Sequence, residues 1–387
     1  MRNVRMVVAL IAVALFAMPA LAADTIKIGF NIPLTGDIPK VGEGSKFSAE
    51  MLKEEINGAG GLKVGDKTYT LEFIYEDNES KAESATAAAM KLITSDEVLA
   101  MIGPQSSKQA VPAGEVANSM MTPMITPWST NPNTTLDRPY VFRACFLDPF
   151  QGPVLAKFVT EELGAKKAAV LYDIASDYPK GLAEFFKASF EEIHGAGSVV
   201  AFETFTTKDR DFSAQLTNII NSGADILFTP QYYDEVPLIA KQAHEQGWNK
   251  PIVGSDSWGS AELNNLCGAD CYGLFFSTHY AAAGAQGKTK EFIDKYNTKY
   301  GYIPDDVGAL TWDAMNLLLQ AIQSTGGLSG DVQKDRDAIR EQLANTTEFD
   351  GITGKMAFNG KNDPSKCAVI VKISDTGAFE FYKSVCP

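Results

Sequence analysis

The stretch VLAMIGPQSSKQAVPAGEVANSMMTPMITPWSTNP, residues 98–132, contains one full structural repeat and decides the fold. Val98 to Gly103 is a short apolar run of buried-strand type, Ser107 to about Met120 has the apolar spacing of a helix, and Pro123 to Thr126 reads as the next strand. Strand, helix and strand in so few residues form a β-α-β unit, because parallel strands need a crossover and its helix covers the sheet face. The stretch closes on PWSTNP, residues 127–132, where Pro127 and Pro132 forbid a helix or a central strand. What remains is a shaped loop that sets Trp128, Ser129 and Thr130 at the carboxyl end of a core strand.

The same alternation runs outward in both directions. Before it, IKIGFNI (26–32) is followed by a helical segment from about Gly44 to Asn57, and YTLEFIYED (69–77) by one from about Lys81 to Thr94. After it, a helix near Gln151–Leu163 opens a second series. There KAAVLYD (167–173), VVAFETF (199–205), ADILFTP (224–230), PIVGSD (251–256) and YGLFFSTHY (272–280) read as strands. Helices near Tyr178–His194, Phe212–Asn221 and Glu235–Gln246 alternate with them. Further helices near Thr289–Tyr300, Val307–Ser324 and Val332–Leu343 and a terminal hairpin complete the chain. The fold class is α/β, with two doubly wound parallel-sheet lobes in succession. No low-complexity linker separates them, which fits lobes joined by several short crossings better than a single tether. In open α/β sheets ligands lie beyond the carboxyl ends of the strands, so the candidate loops follow Ile32, Gly103, Thr126, Asp173, Pro230 and Gly254.

The first 23 residues read as a secretory signal peptide, with Arg2 and Arg5, an apolar run from about Met6 to Phe16, and Ala20-Leu21-Ala22 before the cleavage point. The mature protein is therefore expected to be exported, soluble and without a lipid-bearing cysteine at its start. About 364 residues then remain, enough for two domains. The composition, 45% hydrophobic and 21% charged, is that of a globular protein. The net charge is −14 for the whole chain, which argues against a nucleic-acid partner or an anionic membrane surface.

The five cysteines belong to an oxidising compartment if the leader reading holds, so pairing is expected. Cys367 and Cys386 flank AVIVKISDTGAFEFYKSV, two alternating strands about a turn at Thr376-Gly377. In that register facing residues have numbers summing to 753, as 367 and 386 do, so a cross-strand disulfide is expected. Cys267 and Cys271, in CGADC, can close a small loop, leaving Cys145 as a buried unpaired thiol.

Chemistry gathers at the strand ends. Ser106 and Ser107 follow Gly103 and start a helix, where serine is an N-cap by default but free amides also attract anions. Asp256 and Trp258 follow Gly254, where the aspartate could cap the next helix, while Tyr178, Tyr232 and Tyr233 follow other strands of the second series. Enzyme motifs are weak by comparison. AAGAQGKT (282–289) has alanine in place of the first phosphate-loop glycine, and GEGSKF (42–47) has Phe47 in place of the third dinucleotide glycine. His194, His244 and His279 have no metal-ligand spacing, and no nucleophile has a recognisable base partner. No enzyme activity, metal or cofactor is expected.

Seven stretches in order carry a family resemblance: IKIGFNIPLTGD from Ile26, INGAGGLKVGDKTYTLEFIYED from Ile56, MIGPQSSKQAVPAGEVAN from Met101, MITPWSTNP from Met124, DPFQGPVLAKFV from Asp148, DRDFSAQLTNI from Asp209 and GALTWDAMNLLLQAI from Gly308. The chain resembles the periplasmic substrate-binding proteins of branched-chain (Leu/Ile/Val-type) amino acid ABC transporters, of the type I or Venus-flytrap fold. The resemblance implies a periplasmic receptor, a monomer, that captures an α-amino acid between lobes and passes it to a membrane ABC permease. It implies lobe 1 at 24–147 plus 280–358 and lobe 2 at 148–279 plus 359–387, with three hinge crossings. It assigns Ser107 and Thr130 to the ligand's carboxylate, the Trp128 carbonyl and Asp256 to its ammonium, Ser129 to a neighbouring small position, and Tyr178 and Tyr232 to covering it. Gln105 and Val41 fall at side-chain pocket positions, with Tyr233, Trp258 and Trp312 as further candidates for its lining. The lobe 1 disulfide of leucine-type members is missing, since Ser106 stands where its second cysteine would be. Other amino acids, amides, urea or aromatic acids, or a sensory module, are the alternative readings.

Overall fold

The computed structural model describes residues 24–358 and 360–387, and the leader expected at residues 1–23 lies outside them. The first sheet contains β1 (Asp24–Ile32), β2 (Leu62–Val64), β3 (Lys67–Asp77), β4 (Ala100–Ile102), β5 (Met124–Thr126) and β6 (Val141–Arg143), in the order β2-β3-β1-β4-β5-β6. Only β2 runs antiparallel to its neighbour. The second sheet contains β7 (Ala168–Asp173), β8 (Val199–Phe205), β9 (Ile226–Phe228), β10 (Ile252–Gly254) and β11 (Phe275–Thr278). After a small hairpin of β12 (Glu348–Gly351) and β13 (Gly354–Ala357), the chain returns to add β14 (Ala368–Ile373) and β15 (Phe379–Val385), giving the order β15-β14-β11-β10-β9-β7-β8.

The helices are α1 (Pro39–Gly58), α2 (Ala82–Thr94), α3 (Ser107–Ser119), α4 (Asp148–Glu161), α5 (Asp177–His194), α6 (Ser213–Asn221), α7 (Val236–Glu245), α8 (Glu262–Cys267), α9 (Gly287–Tyr300), α10 (Asp306–Ser324) and α11 (Val332–Ala344). Parallel strands of an α/β sheet are buried on both faces. In β1 this leaves Ile26, Ile28, Phe30 and Ile32 at 0% exposure, while Gly29 lies under Leu92 of α2. Helix α10 packs on α1 and on the first sheet.

Both sheets visit their strands in one pattern. β3-β1-β4-β5-β6 and β8-β7-β9-β10-β11 each step outward once, return, and then run the other way. The connections leave a crevice at the reversal, between β1 and β4 in one sheet and between β7 and β9 in the other. The chain crosses between sheets over residues 144–147, 279–286 and 360–367. One apolar cluster spans the seam, with Ile38, Val41, Trp128 and Val307 among residues of the second sheet such as Leu227, Ile252 and Phe276. Each fully buried side chain of this kind contributes roughly 1.5–3 kcal/mol relative to leaving it exposed, so apolar burial favours the closed seam.

Both expected disulfides, Cys267–Cys271 and Cys367–Cys386, are formed, and Cys145 is buried and free. The hairpin register needs one correction. The sum of 753 holds from Ala368↔Val385 to Ile370↔Lys383, but a bulge then shifts the pairing to Val371↔Phe381 and Ile373↔Phe379. An extra residue on one strand is what a β-bulge inserts, and alternation alone does not reveal it.

Candidate functional site

Three buried strand ends build the first wall. Between β4 and α3 the backbone at Gly103 has φ of 90°, and a Cβ there would lie 2.4 Å from the Asn31 carbonyl oxygen, so only glycine allows this approach. Gln105, Ser106 and Ser107 follow and line a cavity together with Trp128. Ser106 stands at the N-cap position of α3, yet its hydroxyl bonds to the Gln109 side chain and not to a helix amide. The capping role read from the sequence is therefore not played, and of the first-turn amides Gln109 donates to the Ser106 carbonyl while those of Ser107 and Lys108 keep their capacity to bind an anion. Ser107 Oγ lies 2.8 Å from Ser129 Oγ, which lies 2.7 Å from Thr134 Oγ1. Ser129 and Thr130 are buried beside the cavity and not in its wall.

Arg143, at the end of β6 and fully buried, holds this loop from beneath. Its guanidinium donates to the Ser129 carbonyl at 2.5 Å, the Asn131 carbonyl at 3.0 Å, Thr135 Oγ1 at 2.7 Å and Asp363 Oδ1 at 2.5 Å. A rigid fork of five donors suits a site with four fixed acceptors, and lysine could not match it. Since Asp363 lies in the third crossing, one side chain ties the loop to that crossing.

The Trp128 ring points into the seam. Its Nε1–H donates to Asp306 Oδ2 at 3.3 Å, and its ring centroid is 6.0 Å from that of Tyr232. Asp306 also accepts from Thr278 Oγ1 at 3.2 Å, and burial followed by the neighbouring Asp305 charge pushes its carboxyl well above the usual range.

The second wall centres on Asp256, which is 1% exposed. It lies in a 3-10 turn, Asp256–Trp258, with no side-chain cap bond, so the capping alternative does not apply. Asp256 Oδ1 accepts from Gln151 Nε2 and from the Tyr178 hydroxyl, each at 2.6 Å, and Oδ2 lies 3.3 Å from His279 Nε2. Gln151 also donates to Ser277 Oγ at 2.8 Å. Burial, with the Asp256 charge second, pushes the Tyr178 phenol well above its usual value, so it stays protonated and donates. Burial lowers the His279 pKa while Asp256 opposes it, leaving a neutral ring whose Nε2–H faces the carboxylate. Tyr178, Tyr232 and Ser257 complete this wall.

The two walls are closed against each other and leave no room for a water molecule between them. Three polar atoms beside this space have no partner: Gln105 Oε1, Thr130 Oγ1 and the Tyr232 hydroxyl. Thr130 Oγ1 lies next to Asp148 without hydrogen-bond geometry, and burial raises the Asp148 carboxyl well above its usual value. Past Ser106 and Tyr232 the space opens to a mouth lined by Asp37, Lys108, Asp173, Asp234 and Glu235. Burial raises Asp234 to about 6 and Glu235 to about 9.

Four positions considered for the pocket lie elsewhere. Val41 and Tyr233 sit in the apolar seam, where the Lys40 N–H donates to the Tyr233 hydroxyl at 3.2 Å. Trp258 packs flat over Gly254, where a Cβ would come within 2.1 Å of its ring. Trp312 faces Phe292, with ring centroids 5.1 Å apart, in a cluster outside the cavity. Conversely Gln151, His279, Arg143 and Asp306 serve the site unannounced. Their only sequence signals were position, Gln151 within DPFQGP and His279 at the end of a strand. Among the described residues no group of three His, Cys, Asp or Glu is placed to hold a metal ion. No helix among them is long and apolar enough to cross a membrane.

Two doubly wound sheets facing one cavity, with hydroxyls on one wall and a carboxylate on the other, is the arrangement of a two-lobed binding protein. A family model described as periplasmic binding protein matches residues 25–378. The chain belongs to that family. A relative from Pseudomonas aeruginosa, named leucine-, isoleucine-, valine-, threonine-, and alanine-binding protein, is 31% identical, covering 97% of this chain and 95% of its own. The crystal structure of the leucine binding protein LivK from Thermotoga maritima superposes with a TM-score of 0.85 at 32% identity, covering 94% of this chain and 99% of its own. That of the branched-chain amino acid transporter substrate binding protein LivJ from Streptococcus pneumoniae, in complex with isoleucine, gives 0.84 at 32% identity, covering 94% and 100%. The fold is thus the type I periplasmic binding protein fold, and the family is one of extracytoplasmic receptors and not of enzymes.

Proposed function

We propose that the protein is a periplasmic receptor that closes its two lobes on a free α-amino acid and presents the closed form to a membrane ABC permease. The reading divides the chain into lobe 1, 24–147 plus 280–358, and lobe 2, 148–279 plus 359–387, after removal of the leader, and takes the mature protein as a monomer. The names of its relatives put aliphatic amino acids first, branched-chain ones foremost.

The observation that carries the reading is the polarity of the two walls. Ser107, Thr130 and the open α3 amides are donors suited to a carboxylate, and Asp256 is the acceptor suited to an ammonium. A zwitterion leaving water needs both ends satisfied, because an unpaired buried charge costs several kcal/mol. The ligand contacts both lobes only when they are closed, so its binding shifts the population toward the closed state. Calorimetric titration of the mature chain with each common L-amino acid, and with acetamide, urea and 4-hydroxybenzoate, tests this. Saturable heat with one or more amino acids is expected; heat with a non-amino acid alone would refute the assignment.

A further inference from the structure

We propose that the cavity selects an α-amino acid whose short side chain carries a hydroxyl, threonine or serine, over valine, isoleucine and leucine. This rests on the amino-acid reading above and replaces its ranking of branched-chain side chains first. Small-molecule pockets are usually lined by apolar side chains. Here every lining residue, from Gln105 and Ser107 to Tyr232 and Ser257, carries a hydrogen-bonding group, and no aliphatic side chain is among them.

Two residues give the pocket this character. The Trp128 indole, anchored to Asp306 and packed with Val41 in the seam, takes up volume an aliphatic side chain would need. Gln105, at 0% exposure, is fixed by its Nε2–H donating to Ser45 Oγ at 2.7 Å, and Ser45 Oγ in turn lies 2.9 Å from Thr311 Oγ1. Its Oε1 has no partner. A ligand hydroxyl satisfies that oxygen, and being donor and acceptor in one it meets the amide in either orientation. A methyl group in the same place leaves a buried polar atom unpaired, a penalty that discriminates on the order of 10- to 100-fold.

Threonine and valine have the same shape and differ by this one group, so their ratio is the test. The mature chain, unfolded and refolded to remove any bound ligand, is titrated calorimetrically with L-threonine, L-serine, L-valine and L-leucine. Threonine is expected to bind at least about 10-fold more tightly than valine, with leucine weaker still. Gln105→Leu is expected to bring the threonine-to-valine ratio to unity or below, and Trp128→Ala to raise leucine affinity relative to threonine, with thermal unfolding confirming that each variant folds. Valine or leucine binding as tightly as threonine to the unaltered chain overturns the proposal and leaves the amino-acid reading intact. No heat with any amino acid overturns both.

Discussion

The two walls of the cleft are built from the same β-α turns but are finished differently. The wall on the first sheet is stiff backbone with open valences: Arg143 pins the carbonyls of Ser129 and Asn131, while Gln105 Oε1 in the wall and Thr130 Oγ1 behind it have no partner. On the second sheet the Asp256 carboxylate already holds Gln151 and Tyr178 and faces His279, and the Tyr232 hydroxyl has no partner. The contrast indicates how binding divides. The free α3 amides and the Thr130 hydroxyl are preformed donors for a ligand's carboxylate, and Gln105 Oε1 is an acceptor left for a donor on the ligand's side chain, so this wall costs little reorganisation. The second wall offers a charge kept in place by neutral donors, which a ligand's ammonium joins as the only cation.

The largest break in this comparison comes from Asp256→Ala. Removing the sole anionic partner of a buried ammonium costs about 3–5 kcal/mol, so binding falls by at least about 100-fold. Far-UV circular dichroism stays unchanged, and calorimetry reads the loss. Arg143→Met follows, striking the stiffness of the other wall. It removes the charged donor from both loop carbonyls, leaving Asn131 with the Thr134 N–H and Ser129 with only the weak Cys145 thiol, and strips Asp363 of its cation, so chemical denaturation should show a loss of about 3 kcal/mol with weakened ligand binding alongside. Thr130→Val removes one hydroxyl and keeps the shape. Losing a hydrogen bond to a charged group is worth about 1.5–3 kcal/mol, so affinity drops roughly 10- to 100-fold with little change in stability.

The smallest effect is one of pH at the mouth. Glu235 is raised from 4.5 to about 9 by burial, and Asp234 from 3.8 to about 6. A raised folded-state pKa means the folded form holds protons that the unfolded chain releases. The stability from these two groups is complete below their unfolded values and is lost as pH climbs through about 6 and then about 9. The melting temperature should therefore fall modestly over that range, and Glu235→Gln should flatten its upper part.

Much of this was legible in the sequence because it follows from strand ends. The apolar runs located the sheets, the crossovers set their direction, and Ser107, Thr130, Tyr178, Tyr232 and Asp256 all follow a strand that ends at the cleft. What escaped depends on long-range placement. Gln151 reaches Asp256 across 105 residues of chain, and Arg143 works through carbonyls whose position only the folded loop determines. Trp312 was assigned to the pocket because helical spacing in α10 does not say which face meets the cleft; its ring turns to Phe292 instead. The one-residue bulge after Ile370 was likewise invisible, since both strands alternate correctly on either side of it.

The central claim is that one ligand engages both walls through its two charged ends. The direct test is calorimetry with the tightest-binding amino acid, its N-acetyl derivative, which lacks the ammonium, and its carboxamide, which lacks the carboxylate. The account predicts that each derivative binds at least about 100-fold more weakly than the parent, because each leaves one wall's charge or donors unmet. Either derivative binding as tightly as the parent amino acid would contradict it.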